Sequence, residues 1–282
     1  MQIITNPAEF QAIALNYRLS GLKTALVPTM GFLHEGHKSL LLAGRNQADK
    51  LMLSVFLNPA QFAPNEDLAA YPRDFNHDCK LAEEAGVDIL FAPKPEAMYL
   101  QGHATWVEAP ALAKILCGAS RPVHFKGVCT VVLKLLALGL PSMALFGEKD
   151  WQQLAIIKAM VRDLNFPVQI LGCPIVREAD GLALSSRNAY LSTDERAAAP
   201  HIYKGLKLAQ KLALHGERNP KKLTKEVLDY WGAHLSGGQV EYLEFVHPER
   251  IEKVKTLEGD TLLATAVRMG KARLIDNLLI RA

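Results

Sequence analysis

The sequence predicts an α/β protein: a doubly wound parallel sheet, followed by a second, smaller α+β domain. Three observations carry this expectation. Over the first 175 residues, short runs that are apolar throughout alternate with helix-like runs, the pattern of strands covered on both faces and joined by crossover helices. The last third changes to two helical stretches and then closely spaced strand-like runs, which suggest a small antiparallel sheet. The charge balance changes at the same place: residues 1–174 hold 15 basic and 15 acidic side chains, whereas residues 175–282 hold 17 and 14. The expected domains are therefore 1–175 and 176–282.

In chain order, TALVPTM (24–30) reads as a strand and HKSLLLAGRNQA (37–48) as a helix. KLMLSVFLN (50–58) is a buried strand, and the turn-rich NPAQFAPNED (58–67) follows it. RDFNHDCKLAEEAG (73–86) is an amphipathic helix stopped by Gly86, and DILFAP (88–93) is a further strand. GVCTVVLKLLALGLPSMALF (127–146) has the length of a membrane span, but Lys134 sits near its middle and Pro141 breaks a helix there. A helix over about 127–139, a turn and a strand over 143–147 account for it. Leu154, Ile157, Val161 and Leu164 mark one helical face, and PVQILGCPIV (167–176) completes the set. Further on, Ser192 and Glu195 have the spacing of a capping box that opens a long helix through about His215. A second helix follows Asn219-Pro220, and VEYLEFV, DTLLATAVRM and ARLIDNLLI, between residues 240 and 280, are the strand-like runs. Lys204, Lys207 and Lys211 share one helical face and read as solvated surface.

At 282 residues, 49% hydrophobic and 22% charged, the chain has ample material for a core, which excludes disorder, collagen and coiled coil as overall descriptions. A net charge of +3 is too small to imply a nucleic-acid or membrane partner. The start, MQIITNPAEF, lacks the basic and apolar regions of a secretory signal. Cys79, Cys117, Cys129 and Cys173 form no CxxC pair and read as free thiols of a reducing compartment. The expected localisation is cytoplasmic.

Three segments carry chemistry. PTMGFLHEGHKSL (28–40) lies where a strand ends and a helix begins, the place where open α/β sheets bind ligands. Gly31 and Gly36 permit close backbone approach, and the helix start is expected to offer free N–H groups to a phosphate. His34 and His37, as H-x-G-H, are placed to donate to charge building on phosphorus. The same spacing also suits two structural histidines, or a metal pair that lacks its further ligands. GEKDWQQL (147–154) is a second strand-to-helix junction: Lys149 suits a phosphate, Asp150 ribose hydroxyls and Gln153 a polar substrate, although taken alone an ordinary helix start with an acidic cap explains it better. LALSSRNAYLS (182–192) sets two hydroxyls before Arg187, whose guanidinium fork matches phosphate oxygens; a capped loop is the alternative.

Together with SVFLNPAQF (54–62), YPRD (71–74), RPVHFKGVCTVV (121–132), ALFGEKDWQQL (144–154) and READGLALSSRN (177–188), these segments resemble the pantoate–β-alanine ligases, a family within the H-x-G-H nucleotidyltransferase-like superfamily. The resemblance runs along nearly the whole chain. It implies a Rossmann-like first domain and a smaller C-terminal lid domain, a homodimer, and Mg²⁺ accompanying ATP as co-substrate. It further implies that (R)-pantoate and β-alanine are joined through a pantoyl adenylate, with release of AMP and pyrophosphate. Carried over by position, Met30, Gly31, Phe32, Leu33, His34, Glu35, Gly36 and His37 would line the ATP site, with His37 as proton donor. Gly147, Glu148, Lys149, Asp150, Val176, Leu184, Ser185, Ser186 and Arg187 would also contact ATP. Gln61 would touch pantoate and β-alanine, Gln153 would hold pantoate, Asn58, Arg121 and His124 would assist, and Asp78 would neighbour the metal. Among departures from the family pattern, His77 stands where relatives often carry an acidic residue, and Phe32, Val123 and Trp151 also differ.

The implied reaction needs no protein nucleophile, because the pantoate carboxylate is already ionised at neutral pH. It needs donors in place for the phosphate charge, with His34, His37, Lys149 and Arg187 as the catalytic set, and it needs water excluded from the adenylate. The alternatives are another H-x-G-H nucleotidyltransferase with a different small substrate, or a nucleotide-sensing module with a dead site. The second would be expected to lack one of those four residues.

Overall fold

The structure, a computed structural model, describes residues 1–64, 66 and 68–281. Asn65 and Asp67, from the turn-rich 58–67 segment, lie outside the described residues, as does Ala282. The described strands are β1 (Gln2–Ile4), β2 (Thr24–Thr29), β3 (Lys50–Val55), β4 (Ile89–Phe91), β5 (Met143–Gly147), β6 (Gln169–Cys173), β7 (Gly238–Val246), β8 (Thr261–Met269) and β9 (Ala272–Ile280). The helices are α1 (Pro7–Leu19), α2 (Glu35–Arg45), α3 (Phe75–Glu84), α4 (Pro95–Met98), α5 (Cys117–Ser120), α6 (His124–Gly139), α7 (Trp151–Asp163), α8 (Thr193–Ala198), α9 (His201–Leu214) and α10 (Pro220–His234). Single 3-10 turns occupy Pro59–Gln61, Glu148–Asp150 and Ser186–Tyr190.

Six strands form a parallel sheet in the order β1-β4-β3-β2-β5-β6. The chain runs from β2 outward through β3 and β4, then returns to β5 on the other side of β2. The switch in direction therefore lies between β2 and β5, whose registered residues are Ala25 with Met143 and Leu26 with Ala144. Alternate strand residues feed the two faces. Ala25, Val27, Leu51, Leu53 and Leu145 pack with Leu40 and Leu41 of α2, with Leu81 and Ala82 of α3 and with Ala85, which caps it. Facing the other way, Phe91 stacks on Phe10 of α1, with ring centroids 4.3 Å apart. This is the doubly wound, Rossmann-like sheet expected.

The three C-terminal strands form an antiparallel sheet, β7-β8-β9. On one face, Ile202, Leu206 and Ala209 of α9 and Leu223, Val227 and Trp231 of α10 pack with Leu243, Phe245, Leu263 and Val267. The two helices approach closely at Gly205, where a Cβ would stand 2.1 Å from Trp231 Nε1.

The chain divides into two compact units: Met1–Ala111, Arg121–Glu148 and Ile156–Pro174 form one, and Leu112–Ser120, Lys149–Ala155 and Ile175–Ala282 the other. These differ from the expected 1–175 and 176–282 by two segments that cluster with the C-terminal unit. The reason is apolar. Leu112, Ile115, Leu116, Trp151 and Ala155 pack with Val246, Ile251, Leu262 and Ala264, and Trp151 Nε1 donates to the Pro248 carbonyl at 2.8 Å.

Three local expectations are corrected. The helix drawn from Ser192 to His215 is two helices: the Ser192–Glu195 capping box opens α8, but Pro200, which has no N–H, ends that run, and α9 begins at His201. Leu164 lies beyond the end of α7 and is exposed, so of the four residues expected on one face Leu154, Ile157 and Val161 are the buried ones. Finally, β1 and α1 occupy a stretch to which the apolar pattern assigns no element. Its readable signal is Asn6-Pro7: Asn6 Oδ1 accepts from Ala8 N and Glu9 N, and Pro7 takes the first helical position.

The expected free thiols are observed, with Cys129 and Cys173 buried and Cys79 and Cys117 half-buried. Among the described residues no helix is long and apolar enough to cross a membrane; the 127–146 run is α6, a turn and β5.

Candidate active site

The loop from β2 to α2 leaves the sheet at the switch point, where open α/β sheets present their ligand crevice. Two successive residues turn it with positive φ, Gly31 at 86° and Phe32 at 52°. A bulky side chain in the left-handed region is strained, and holds only where its surroundings fix it. Here they do. Asp78, buried on α3, accepts from Phe32 N at 2.9 Å and Leu33 N at 2.6 Å, one carboxylate oxygen each. Burial pushes the Asp78 carboxyl above its usual range, against the downward pull of those two bonds. A Cβ on Gly31 would stand 3.0 Å from Asp78 Oδ2 and 3.1 Å from Val55 Cγ1, so position 31 is tight as well as left-handed. Thr29 Oγ1 donates to the Ser54 carbonyl at 2.7 Å and accepts from Gly31 N at 3.3 Å.

The H-x-G-H motif is a capping box written in imidazole. His34 is the N-cap of α2, and its Nδ1 accepts from Gly36 N at 3.1 Å; His37 Nδ1 accepts from His34 N at 3.3 Å. The ring centroids lie 4.1 Å apart. An Nδ1 that accepts an N–H carries no proton, so each neutral ring bears its proton on Nε2. Of the N–H groups expected to be free at this helix start, all but that of Glu35 are therefore taken. Those of residues 31–34 and of Gly36 are taken by side chains, and His37 N and Lys38 N donate to the His34 carbonyl. With each Nδ1 accepting from backbone, Nε2–H is the donor of each neutral ring. Next to β2, β5 ends at Gly147, where a Cβ would meet nothing within 4 Å; Glu148 follows.

The same unit gathers Asn58, Gln61, Arg121 and His124. Asn58, 1% exposed, is fixed at both ends of its amide: Oδ1 accepts from Tyr99 OH at 2.8 Å and Ala60 N at 3.2 Å, while Nδ2 donates to Gln61 Oε1 and the Gly127 carbonyl at 3.1 Å each. This sets the Gln61 amide the other way round, with Nε2 on the Met30 side, 2.9 Å from Met30 Sδ. His124 Nδ1 and Arg121 both bond the Gln61 carbonyl, and Arg121 grips Glu66 through two hydrogen bonds. Burial raises the Glu66 carboxyl, but the Arg121 bonds and charge outweigh it, so the group titrates below its usual range. Tyr99, absent from the sequence reading, is pushed up to about 12 by burial, against the pull of its bond to Asn58, and so keeps its proton. Gly127 matters for its lack of a side chain: a Cβ there would stand 2.3 Å from the Ala60 carbonyl oxygen.

The second unit gathers Lys149, Asp150, Gln153, Val176, Leu184, Ser185, Ser186 and Arg187. Residues 176–184 form a tight hairpin, bridged between Arg177 and Ala183 and closed by Leu184 N donating to the Val176 carbonyl at 3.0 Å. Ser185 caps the following 3-10 turn, with Oγ accepting from Arg187 N. Lys149 and Ser185 line one small cavity with Asn188 and Asp276. Gln153 lies half-buried on α7, while its neighbour Gln152 is buried and donates to the Leu112 and Ile115 carbonyls.

Among the described residues, no group of three or more His, Cys, Asp and Glu side chains is placed to hold a metal ion. Both Asp78 oxygens serve the 32–33 backbone, so its observed work is to anchor the loop. Sequence reasoning misses Arg177, Tyr99, Asp276 and Asn277 as site residues. For the last two a signal exists, since Asp-Asn interrupts the apolar run that follows Arg273 in β9.

Known proteins match the chain along its whole length. The family model described as pantoate–β-alanine ligase matches residues 2–279. The chain is 56% identical over 278 residues to the pantothenate synthetase of Oleidesulfovibrio alaskensis, covering 99% of each. It is similar to the crystal structure of pantothenate synthetase from Thermus thermophilus, with TM-score 0.92 and 42% identity over the whole of both chains. The crystal structure of pantoate–β-alanine ligase from Francisella tularensis, complexed with β-γ ATP and β-alanine, gives TM-score 0.79 at 35% identity, covering 99% of this chain and 97% of that one.

Proposed function

The chain belongs to the pantoate–β-alanine ligase family, and from that premise we propose that it condenses (R)-pantoate with β-alanine through a pantoyl adenylate, consuming ATP and releasing AMP and pyrophosphate. The pantoate carboxylate attacks the α-phosphorus and expels pyrophosphate. The β-alanine amine, once deprotonated, then attacks the acyl carbon and expels AMP. No protein nucleophile takes part.

The observation that carries the local chemistry is the imidazole capping box. With Nδ1 of both rings accepting from backbone, His34 and His37 aim Nε2–H as preset donors, which suits charge developing on phosphate oxygens. His37 in this role donates a hydrogen bond and keeps its proton. Met30 to His37, Gly147, Glu148, Lys149, Asp150, Val176 and Leu184 to Arg187 are the proposed ATP contacts, with Lys149 and Arg187 neutralising phosphate charge. Gln61, oriented by Asn58, presents Nε2 to pantoate and takes part in β-alanine binding; Gln153 holds pantoate. Arg121 and His124 support this by fixing the Gln61 backbone.

We assign Mg²⁺ to the ATP phosphates, because this small ion is usually held by substrate phosphates, waters and one or two carboxylates, and the described residues supply no dedicated cage. Its chemistry when bound is to neutralise phosphate charge. We further propose a homodimer, a cytoplasmic location, and a C-terminal unit that serves as the lid keeping water from the adenylate.

The test is AMP release assayed with each substrate omitted in turn. AMP release is expected to require ATP, pantoate and β-alanine together. AMP formation at full rate without β-alanine would point to a nucleotidyltransferase of another kind and overturn the proposal.

A further inference from the structure

We propose that Asp276 and Asn277 of β9 are positioning residues which fix, from one strand, both ATP-contacting segments of the second unit. Successive strand residues point to opposite faces, so adjacent side chains reach different neighbours. Both are 5% exposed, and a buried polar group is tolerated only with partners. Asp276 takes the Arg177 guanidinium in a fork, at 2.7 and 2.8 Å. Arg177 in turn donates to the Gly181 carbonyl at 3.1 Å and lies over the Tyr203 ring, 3.6 Å from its centroid. The 176–184 hairpin, which delivers Ser185, Ser186 and Arg187, is thereby tied to β9 at its base.

Asn277 serves the other segment. Its Nδ2 donates to the Lys149 carbonyl at 2.9 Å, holding the backbone of the residue assigned to phosphate charge. The two neighbours also hold each other, since Asn277 N donates to Asp276 Oδ1 at 2.7 Å. A buried ion pair is weak as a source of stability, because apolar side chains of similar volume often do as well. What this arrangement supplies is a fixed spacing between the Lys149 turn and the 185–187 turn, and Lys149, Ser185 and Asp276 line one cavity. The inference rests on the reading that Lys149 and Ser185 to Arg187 contact ATP.

The experiment uses the full-length protein with Asn277→Ala, Asp276→Asn, Arg177→Gln and the Asp276→Asn/Arg177→Gln double variant. Calorimetry with a non-hydrolysable ATP analogue, KM for pantoate and β-alanine, and Tm are measured on each. Loss of one positioning hydrogen bond is expected to weaken analogue binding roughly three- to tenfold, with pantoate and β-alanine KM within about twofold of wild type. The double variant is expected to cost little more than either of its singles, because both break one unit. Lys149→Ala and Arg187→Ala run alongside. Wild-type analogue affinity in Asn277→Ala and Asp276→Asn, with affinity lost in Lys149→Ala, overturns the proposal and leaves the ATP reading standing. Wild-type affinity in all of them overturns the ATP reading itself. Equal weakening of all three substrates along with a lowered Tm means a structural role only, and also overturns the proposal. Should Asp276→Asn fail to fold, Asn277→Ala decides the matter.

Discussion

At positions 34 and 37 one ring nitrogen serves the helix and, in the proposed function, the other serves the substrate. His37→Ala therefore removes two things at once. Loss of the reciprocal cap costs about 0.5–2 kcal/mol and is expected as a lowered Tm. Loss of a preset donor is expected to slow single-turnover adenylate formation by roughly one to three orders of magnitude. A variant forming adenylate at the wild-type rate would show that the ring serves only the helix. The motif was legible in the sequence because two histidines about one glycine at a strand-to-helix junction are an unusual pattern. The direction of the rings was not, since it depends on which nitrogen the backbone occupies. The anchoring role of Asp78 was out of reach for a similar reason: its partners are N–H groups 45 and 46 residues away, and backbone donors leave no mark in a sequence.

At the scale of elements, α6 and the 58–61 turn form one piece because Gly127 has no side chain. Gly127→Ala would drive a Cβ to 2.3 Å from the Ala60 carbonyl oxygen and 2.5 Å from Gln61 N, both backbone atoms that yield only by moving the turn. The expected result is a destabilisation of about 1–3 kcal/mol, read as Tm, together with a raised KM for pantoate as Asn58 and Gln61 shift. An unchanged KM would dissociate the turn from substrate binding. Elements of this kind were legible where periodicity was strong: β2, β3, β5 and the C-terminal strands all fall where apolar runs place them. Where one backbone group decided the outcome, pattern alone gave the wrong answer. Pro200 divides a helix whose apolar face continues without interruption from Ile202 to Ala213. The 112–120 and 149–155 segments join the C-terminal unit through residues distant in sequence: Leu112, Ile115 and Trp151 belong to one apolar cluster with Val246 and Leu262.

For the molecule as a whole, His201, Glu66 and Asp88 are expected to lower stability on acidification in two stages, with Asp78, raised by burial, acting in the opposite sense. Burial lowers the pKa of His201, reinforced by Lys204 and His234, which stands beside it with Tyr230. Folding thus favours its neutral ring, and stability drops as pH falls from the ordinary 6.5 through the lower folded value. Glu66 and Asp88 act later. Burial raises both, but the Arg121 bonds and charge for Glu66, and the Leu51 N–H, Arg45 and Lys50 for Asp88, more than offset it. Their stabilisation is present above the ordinary values of 4.5 and 3.8 and is lost as pH falls through the lower folded ones. Tm measured at pH 7, 5.5 and 3.5 should fall at each step, and a Tm unchanged between 7 and 5.5 would remove His201 from the account. Among these features the imidazole capping box reaches furthest in time. Because the same two rings begin α2 and, in the proposed function, aim its donors, loss of activity by mutation at either position is expected to disturb the fold as well. To become a silent copy a descendant would have to refit that helix start first, with a serine and a glutamate for instance, and such a replacement would be a readable scar in its sequence.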